Sequence, residues 1–228
     1  MKTKFLFVFP FVLGALSGYS QDTIYRELPP FTVLQVTDNI TVQLNRTGKE
    51  SVSIRTEGID PKQVQTTVEN KTLKIGLAGT VYSKQKVVVN LNFKEIREMD
   101  IRNNAEVITT SLFKADSLAV TLKLGGSLYL DADLGYLKSN VTGGGLLTAE
   151  GYATRQDIFV SSRATVSAFG LESESIRIEA ISGGKAKINV DTELNASATT
   201  GSYISYKGDP AKKNITASPG SEVVASEE

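Results

Sequence analysis

The chain has 228 residues, 25 basic and 25 acidic, for a formal net charge of zero, and it contains no His, Cys or Trp. That composition excludes imidazole general bases, thiol nucleophiles, Ser-His-Asp triads, disulfide bonds and nearly all zinc sites. No basic run interrupts the balance, so nucleic acid is not an expected partner.

The first element is a targeting segment. Lys2 and Lys4 precede an apolar run of 12 residues from Phe5 to Leu16, and Gly18-Tyr19-Ser20 follow. This is the layout of a secretory signal peptide over residues 1–20, with cleavage after Ser20. The run is shorter than the ~20 apolar residues a membrane-spanning helix needs, so no transmembrane anchor is expected. The chain is therefore expected to be exported, whether periplasmic, outer-surface or secreted. Loss of the two lysines leaves 23 basic against 25 acidic residues, a mature charge near −2.

From residue 21 to about 100 the apolar residues alternate with period two, as in strands that bury one face. Ile40, Val42 and Leu44 alternate with Thr41 and Gln43, and the pattern recurs at Val52 and Ile54 and at Leu73, Ile75 and Leu77. Val87, Val89, Leu91 and Phe93 follow, with Val88 making that strand apolar on both faces and placing it most deeply. Asn45 to Gly48, Gly58 to Pro61 and Asn70-Lys71 separate these strands as turns. Lys94 to Met99 is the one short stretch compatible with a helical turn.

From residue 101 to about 210 the pattern becomes a repeat. Gly125-Gly-Ser, Gly143-Gly-Gly, Ser162-Arg-Ala, Gly183-Gly-Lys and Thr200-Gly-Ser recur at spacings of 18, 19, 21 and 17 residues, and Asn103-Asn-Ala lies 22 residues upstream of the first. Each precedes a short alternating strand, and a second strand follows in each unit, for example Leu118, Val120, Leu122 and Leu124. A unit of about 20 residues cannot bury its own apolar face, whereas stacked coils bury a continuous core. About five coils of a β-solenoid are predicted, against the alternative of a hairpin-built β-sandwich. Residues 211–228 lose the periodicity and are expected to form a flexible tail.

The order of segments resembles the "putative auto-transporter adhesin, head GIN domain" family of exported Bacteroidetes-type proteins. The resemblance rests on Phe31-Thr-Val-Leu-Gln-Val, Asp38-Asn-Ile-Thr-Val-Gln-Leu, Glu50-Ser-Val-Ser-Ile-Arg, Lys71-Thr-Leu-Lys-Ile, Val87-Val-Val-Asn-Leu and the Gly-rich coils. Where relatives carry glycine before the isoleucine of the second motif, this chain has Asp38-Asn39. The resemblance implies an all-β, right-handed parallel β-helix (β-solenoid) with an irregular N-terminal β region. It implies adhesion and supplies no catalytic residues.

Surviving chemistry is confined to carboxylates, lysines and tyrosines. Asp131 and Asp133 sit two apart on the strand face opposite Leu128, Leu130, Ala132 and Leu134, an arrangement that suits calcium or glycosidic-acid chemistry but also an ordinary solvated face. Glu172 and Glu174 repeat it. Tyr129, Tyr152, Tyr203 and Tyr206 are candidates for one aromatic outer surface that stacks on sugars or a protein, or for packing at corners. Gly143-Gly-Gly145 precedes a strand rather than a helix, so corner glycines explain it better than a phosphate loop. Asn-x-Ser/Thr triplets begin at Asn39, Asn45, Asn140, Asn195 and Asn214, and matter only in a eukaryotic secretory route. The expected binding residues are Tyr129, Asp131 and Asp133, with no catalytic, cofactor or metal site. Three functions fit these features: an envelope interaction module for a glycan or protein, a homo-oligomer formed by end-to-end coil stacking, and a carbohydrate-active enzyme.

Overall fold

A computed structural model of the protein describes residues 23–79 and 85–226, so the signal-peptide segment lies outside the described residues. The first strands are β1 (Thr23–Glu27), β2 (Val33–Val36), β3 (Thr41–Arg46) and β4 (Ser51–Glu57). A 3-10 turn at Pro61–Gln63 leads to β5 (Val64–Glu69), β6 (Thr72–Leu77), β7 (Lys86–Phe93), β8 (Glu98–Arg102), β9 (Glu106–Thr109) and β10 (Phe113–Lys123). Four long strands follow: β11 (Ser127–Val141), β12 (Leu146–Ser161), β13 (Thr165–Ile181) and β14 (Lys185–Ala198). The chain ends in β15 (Tyr203–Lys207), β16 (Lys212–Ala217) and β17 (Glu222–Ala225).

Each long strand turns a corner partway along. The start of β11 pairs in parallel with β9 over Ser127–Tyr129, while its later part pairs with β10, whose Leu122 lies opposite Val141. Two faces result. The first holds β8, β10, the later halves of β11 to β14, and β16; the second holds β9, the early halves of β11 to β14, β15 and β17. From β8 onward the chain winds a β-solenoid of about seven turns. Right-handed winding is the sense that parallel β-connections almost always take.

Alternation explains the core. Val107, Leu128, Leu147, Val166, Ala186 and Ile204 stack in register between the faces, and all are buried. Val87, Val89, Leu91 and Phe93 are buried too, on the inward face of β7, whereas Val88 on its other face is only half-buried although β3 and β4 pair the strand on both sides.

The recurring corner motif is a column of tight turns. Asn103 and Asn104, Leu124 and Gly125, Gly143 and Gly144, Ser162 and Arg163, and Ser182 and Gly183 are pairs with positive φ. The following amide closes each turn, as in Gly126 N to Lys123 O at 3.0 Å and Ala164 N to Ser161 O at 3.1 Å. Two left-handed residues closed this way make a type I′ turn. Successive turns are also bonded to one another, for example Asn104 N to Leu124 O at 3.0 Å and Gly125 N to Gly143 O at 3.1 Å. The residue after each pair must be small: a Cβ on Gly126 would stand 2.2 Å from the Ile101 carbonyl oxygen. Asp38-Asn39 adopts the same geometry, with φ of 71° and 52°. The Asp38 carboxylate holds it by accepting from Thr37 Oγ1 at 2.6 Å and Leu77 N at 3.1 Å.

Three parts of the chain differ from their sequence-level description. The parallel stack extends into the irregular N-terminal region: β2 lies between β6 and β8, and β3 between β7 and β9, all in parallel. The stacking order is therefore not the chain order, which hides any repeat. Antiparallel β5 on β6, β4 on β7 and β1 on β4 close that end. Lys94 to Met99 forms no helical turn; it bends at Lys94 and passes through irregular chain into β8.

The stretch assigned to a flexible tail carries β16 and β17, paired in parallel with β14 and β15. Periodicity fails there because the inward register position opposite Leu194 is Lys213, ion-paired with Asp209 at 2.8 Å, and every residue of β16 is exposed. Backbone pairing persists without an apolar pattern to report it.

The largest buried polar side chain among the described residues is a glutamine. Gln156 occupies an inward position between Leu137 and Ile176, is wholly buried, and donates from Nε2 to Ser173 Oγ at 2.7 Å, while its Oε1 has no partner among the described residues. An unsatisfied buried acceptor costs about 1–3 kcal/mol. The Gln156→Leu, Ser173→Ala double variant is therefore expected to unfold at the same or higher urea concentration than the parent. Gln156→Ala, which leaves both a void and a lone hydroxyl, should lose about 2–3 kcal/mol in the same titration.

Candidate functional site

The corner in β11 divides the expected site. Leu128, Leu130, Ala132 and Leu134 are all buried, so Asp131 and Asp133 point outward as the alternation requires. Yet the strand bends between the two faces, and the two carboxylates fall in different concavities.

Asp133 lies in the larger one, about 740 Å³, beside Arg46, Arg97 and Lys114. Its charges are already matched. Lys114 Nζ meets Asp133 Oδ2 at 2.7 Å, and Arg97 Nε meets Glu95 Oε1 at 2.6 Å. Arg46 Nη1 donates to the Lys114 carbonyl at 2.5 Å, and the Phe93 and Phe113 rings stack at 5.7 Å. A concavity whose ions neutralise each other offers a charged ligand little.

Asp131 lies with Tyr129 in a shallower groove of about 420 Å³ on the second face, crossed by Thr148, Glu150, Ser167 and Phe169. The solenoid register builds it. Asp131 is directly opposite Glu150, and Tyr129, Thr148 and Ser167 are successive members of one row. Thr109 Oγ1 accepts from the Asp131 amide at 2.9 Å, fixing that edge. Tyr129 is 40% exposed. Neither Asp131 nor Glu150 has an ion pair among the described residues. Like charges directly opposite on paired strands repel, so this pair is held without internal compensation.

Beyond the acidic pair the face turns basic. Lys187 Nζ and Lys207 Nζ approach the Phe169 ring at 5.5 and 4.9 Å from its centroid, and Lys185 and Tyr203 stand beside them. Sequence reading missed Glu150, Phe169 and these lysines. Reading at the coil period reveals Glu150, because it lies one repeat of 19 residues after Asp131.

The four tyrosines do not share one surface. Tyr129 and Tyr203 are on the second face in different rows, Tyr206 is buried, and Tyr152 is in register with Asp133. Tyr152 Oη donates to Glu174 Oε1 at 2.8 Å, and that bond raises the phenol above its ordinary value. On the first face Tyr136 Oη donates to Asp157 Oδ2 at 2.6 Å, with the Arg155 guanidinium 4.9 Å from its ring, and the hydrogen bond to Asp157 raises this phenol too. Among the described residues no three His, Cys, Asp or Glu side chains cluster as metal ligands, and no helix is long and apolar enough to cross a membrane.

A family model described as "Putative auto-transporter adhesin, head GIN domain" matches residues 30–210. The chain belongs to this family. Solved structures agree on the fold. A "putative adhesin" from Bacteroides fragilis matches with a TM-score of 0.80 at 16% identity, covering 91% of this chain and 99% of that one. A "putative adhesin" from Parabacteroides merdae matches at 0.66 and 19% identity, covering 92% and 98%. A "putative lipid binding protein" from Parabacteroides distasonis matches at 0.73 and 15% identity, covering 92% and 98%. A search of curated proteins finds no match. Family and neighbours together are consistent with an adhesion-like role.

Proposed function

We propose that this head GIN domain protein is an exported, non-enzymatic adhesion module of the cell envelope that docks a glycan or a protein on the second face, around Tyr129 and Asp131. The observation that carries this reading is the groove itself. An exposed aromatic ring, two carboxylates without an ion-pair partner among the described residues and a row of hydroxyls line it, on coils stacked in register. Aromatic faces supply contact area at low entropic cost, and repeat arrays characteristically present such extended surfaces. The adhesin description of the family supports binding over turnover. End-to-end coil stacking is the weaker reading, because Lys213 places a charge at an inward position of the last coil, a feature that discourages edge pairing.

The test is retention of the purified protein on an array of bacterial and host glycans and envelope proteins, with and without calcium. Tyr129→Ala and Asp131→Asn are each expected to weaken retention about tenfold, as central contacts do. Asp133→Asn should leave it nearly unchanged. Calcium should have little effect, since one carboxylate pair falls short of the 6–8 oxygens that calcium takes. Wild-type retention by both groove variants would remove the second face as the docking surface.

A further inference from the structure

The second face carries opposite charges on its two halves, and no ion pair joins them among the described residues. Over β9 and β11 to β15, Glu106, Asp131 and Glu150 occupy the coils toward the N-terminal end and Lys185, Lys187 and Lys207 those toward the C-terminal end, with Glu222 one coil beyond on β17. In the row that runs Ile108, Tyr129, Thr148, Ser167, Lys187, three coil steps separate Tyr129 from Lys187. Glu150 on β12 and Lys187 on β14 are two steps apart, about 10 Å at about 4.8 Å per step, and no ion pair joins them among the described residues. No cation neutralises Asp131 or Glu150, and no carboxylate neutralises Lys185, Lys187 or Lys207, among the described residues. Lys187 and Lys207 instead converge on the one Phe169 ring. Between the halves, β13 presents the small, uncharged Thr165 and Ser167, and Thr148 stands opposite Ser167 on β12.

We infer that the partner of this face is a second copy of the chain, docked face to face about a two-fold axis parallel to the strands that passes between Thr148 and Ser167. This inference rests on the second face being the docking surface, and it names the occupant. The rotation preserves each residue's position along its strand and inverts the order of coils. Tyr129 then faces Lys187 of the other copy, Thr148 faces Ser167, and the acidic half opposes the basic half across both ends of the contact. The row of small side chains at the axis lets the sheets approach. Such an isologous contact needs only the self-complementary patch that the register provides. Six strands about 4.8 Å apart and about five residues wide cover on the order of 500 Å² per copy, or about 1,000 Å² in all, which is the lower bound of specific interfaces. The pairing is therefore weak and electrostatically driven, suited to many copies opposing one another on two surfaces.

Sedimentation velocity of the purified protein over a concentration series, at low salt and in 0.5 M NaCl, supplies the test. The expected result is a monomer that doubles in mass with concentration at low salt and reverts in high salt. The surface variants Asp131→Lys, Glu150→Lys and Lys185→Glu, Lys187→Glu should each lose self-association at least tenfold, and their equimolar mixture should restore a dimer. Circular dichroism checks that both remain folded. A wild type that stays monomeric throughout, variants that dimerise like it, or a mixture that does not pair would each overturn the inference. If Tyr129→Ala still abolishes retention of an array ligand by a strictly monomeric wild type, self-pairing alone falls and the docking face stands.

Discussion

Gly151→Ala is expected to destabilise the solenoid by about 3 kcal/mol or more, among the largest effects of any single methyl group in the molecule. Two costs combine at this position. Gly151 has φ of +100°, outside the compact left-handed well that non-glycine residues tolerate, and a Cβ there would stand 2.2 Å from the Ala132 carbonyl oxygen of the coil below. That oxygen belongs to the backbone ladder and cannot move without breaking the β11–β12 pairing. Gly144→Ala is the control. Its φ is +74°, but nothing lies within 4 Å of the added Cβ, so only backbone strain of about 1 kcal/mol applies. Urea unfolding of both variants measures the difference, and equal midpoints would show that the close approach at Ala132 is relieved at no cost.

Leu122→Ala should cost about 3–4 kcal/mol, near the middle of the range for a fully buried leucine. Leu122 is 0% exposed and stands in register between Ile101 and Val141, so the void has well-packed walls above and below. Ile215→Ala removes a comparable side chain from an inward register position of the last coil. There Ile215 is 39% exposed, and the loss should stay below about 1 kcal/mol. Because each coil touches only its neighbours, the central loss is also expected to uncouple the two ends, lowering the urea m-value for Leu122→Ala but not for Ile215→Ala. Unfolding monitored by hydrogen exchange separates the two regions.

The sequence by itself determined the elements whose causes are local. Alternation placed Leu128, Leu130, Ala132 and Leu134 inward, because side chains on a strand alternate by geometry. Asn103-Asn104, Gly143-Gly144 and Gly183 marked the corners, because few residues other than Gly and Asn enter the left-handed region cheaply. Ser162-Arg163 turns in the same way without glycine, held by its closing hydrogen bond and by its neighbours in the turn column.

Only the tertiary structure decided what depends on which coil lies beside which. Non-sequential stacking of β2 and β3 between β6–β7 and β8–β9 leaves no period in the sequence, so those levels were invisible as coils. The last coil was hidden because a backbone ladder needs no apolar side chains, and Lys213, ion-paired with Asp209, stands at an inward position. At the site, two residues of separation in sequence put Asp133 around a corner from Asp131 and onto Lys114, whereas 19 residues put Glu150 directly opposite it. Tyr129 and Asp131 were legible as outward-facing groups. Of their companions, Glu150 is legible only at the coil period, and Phe169, Lys187 and Lys207 were not legible, because a solenoid assembles each surface across coils, and position across coils is set by register, not by nearness along the chain.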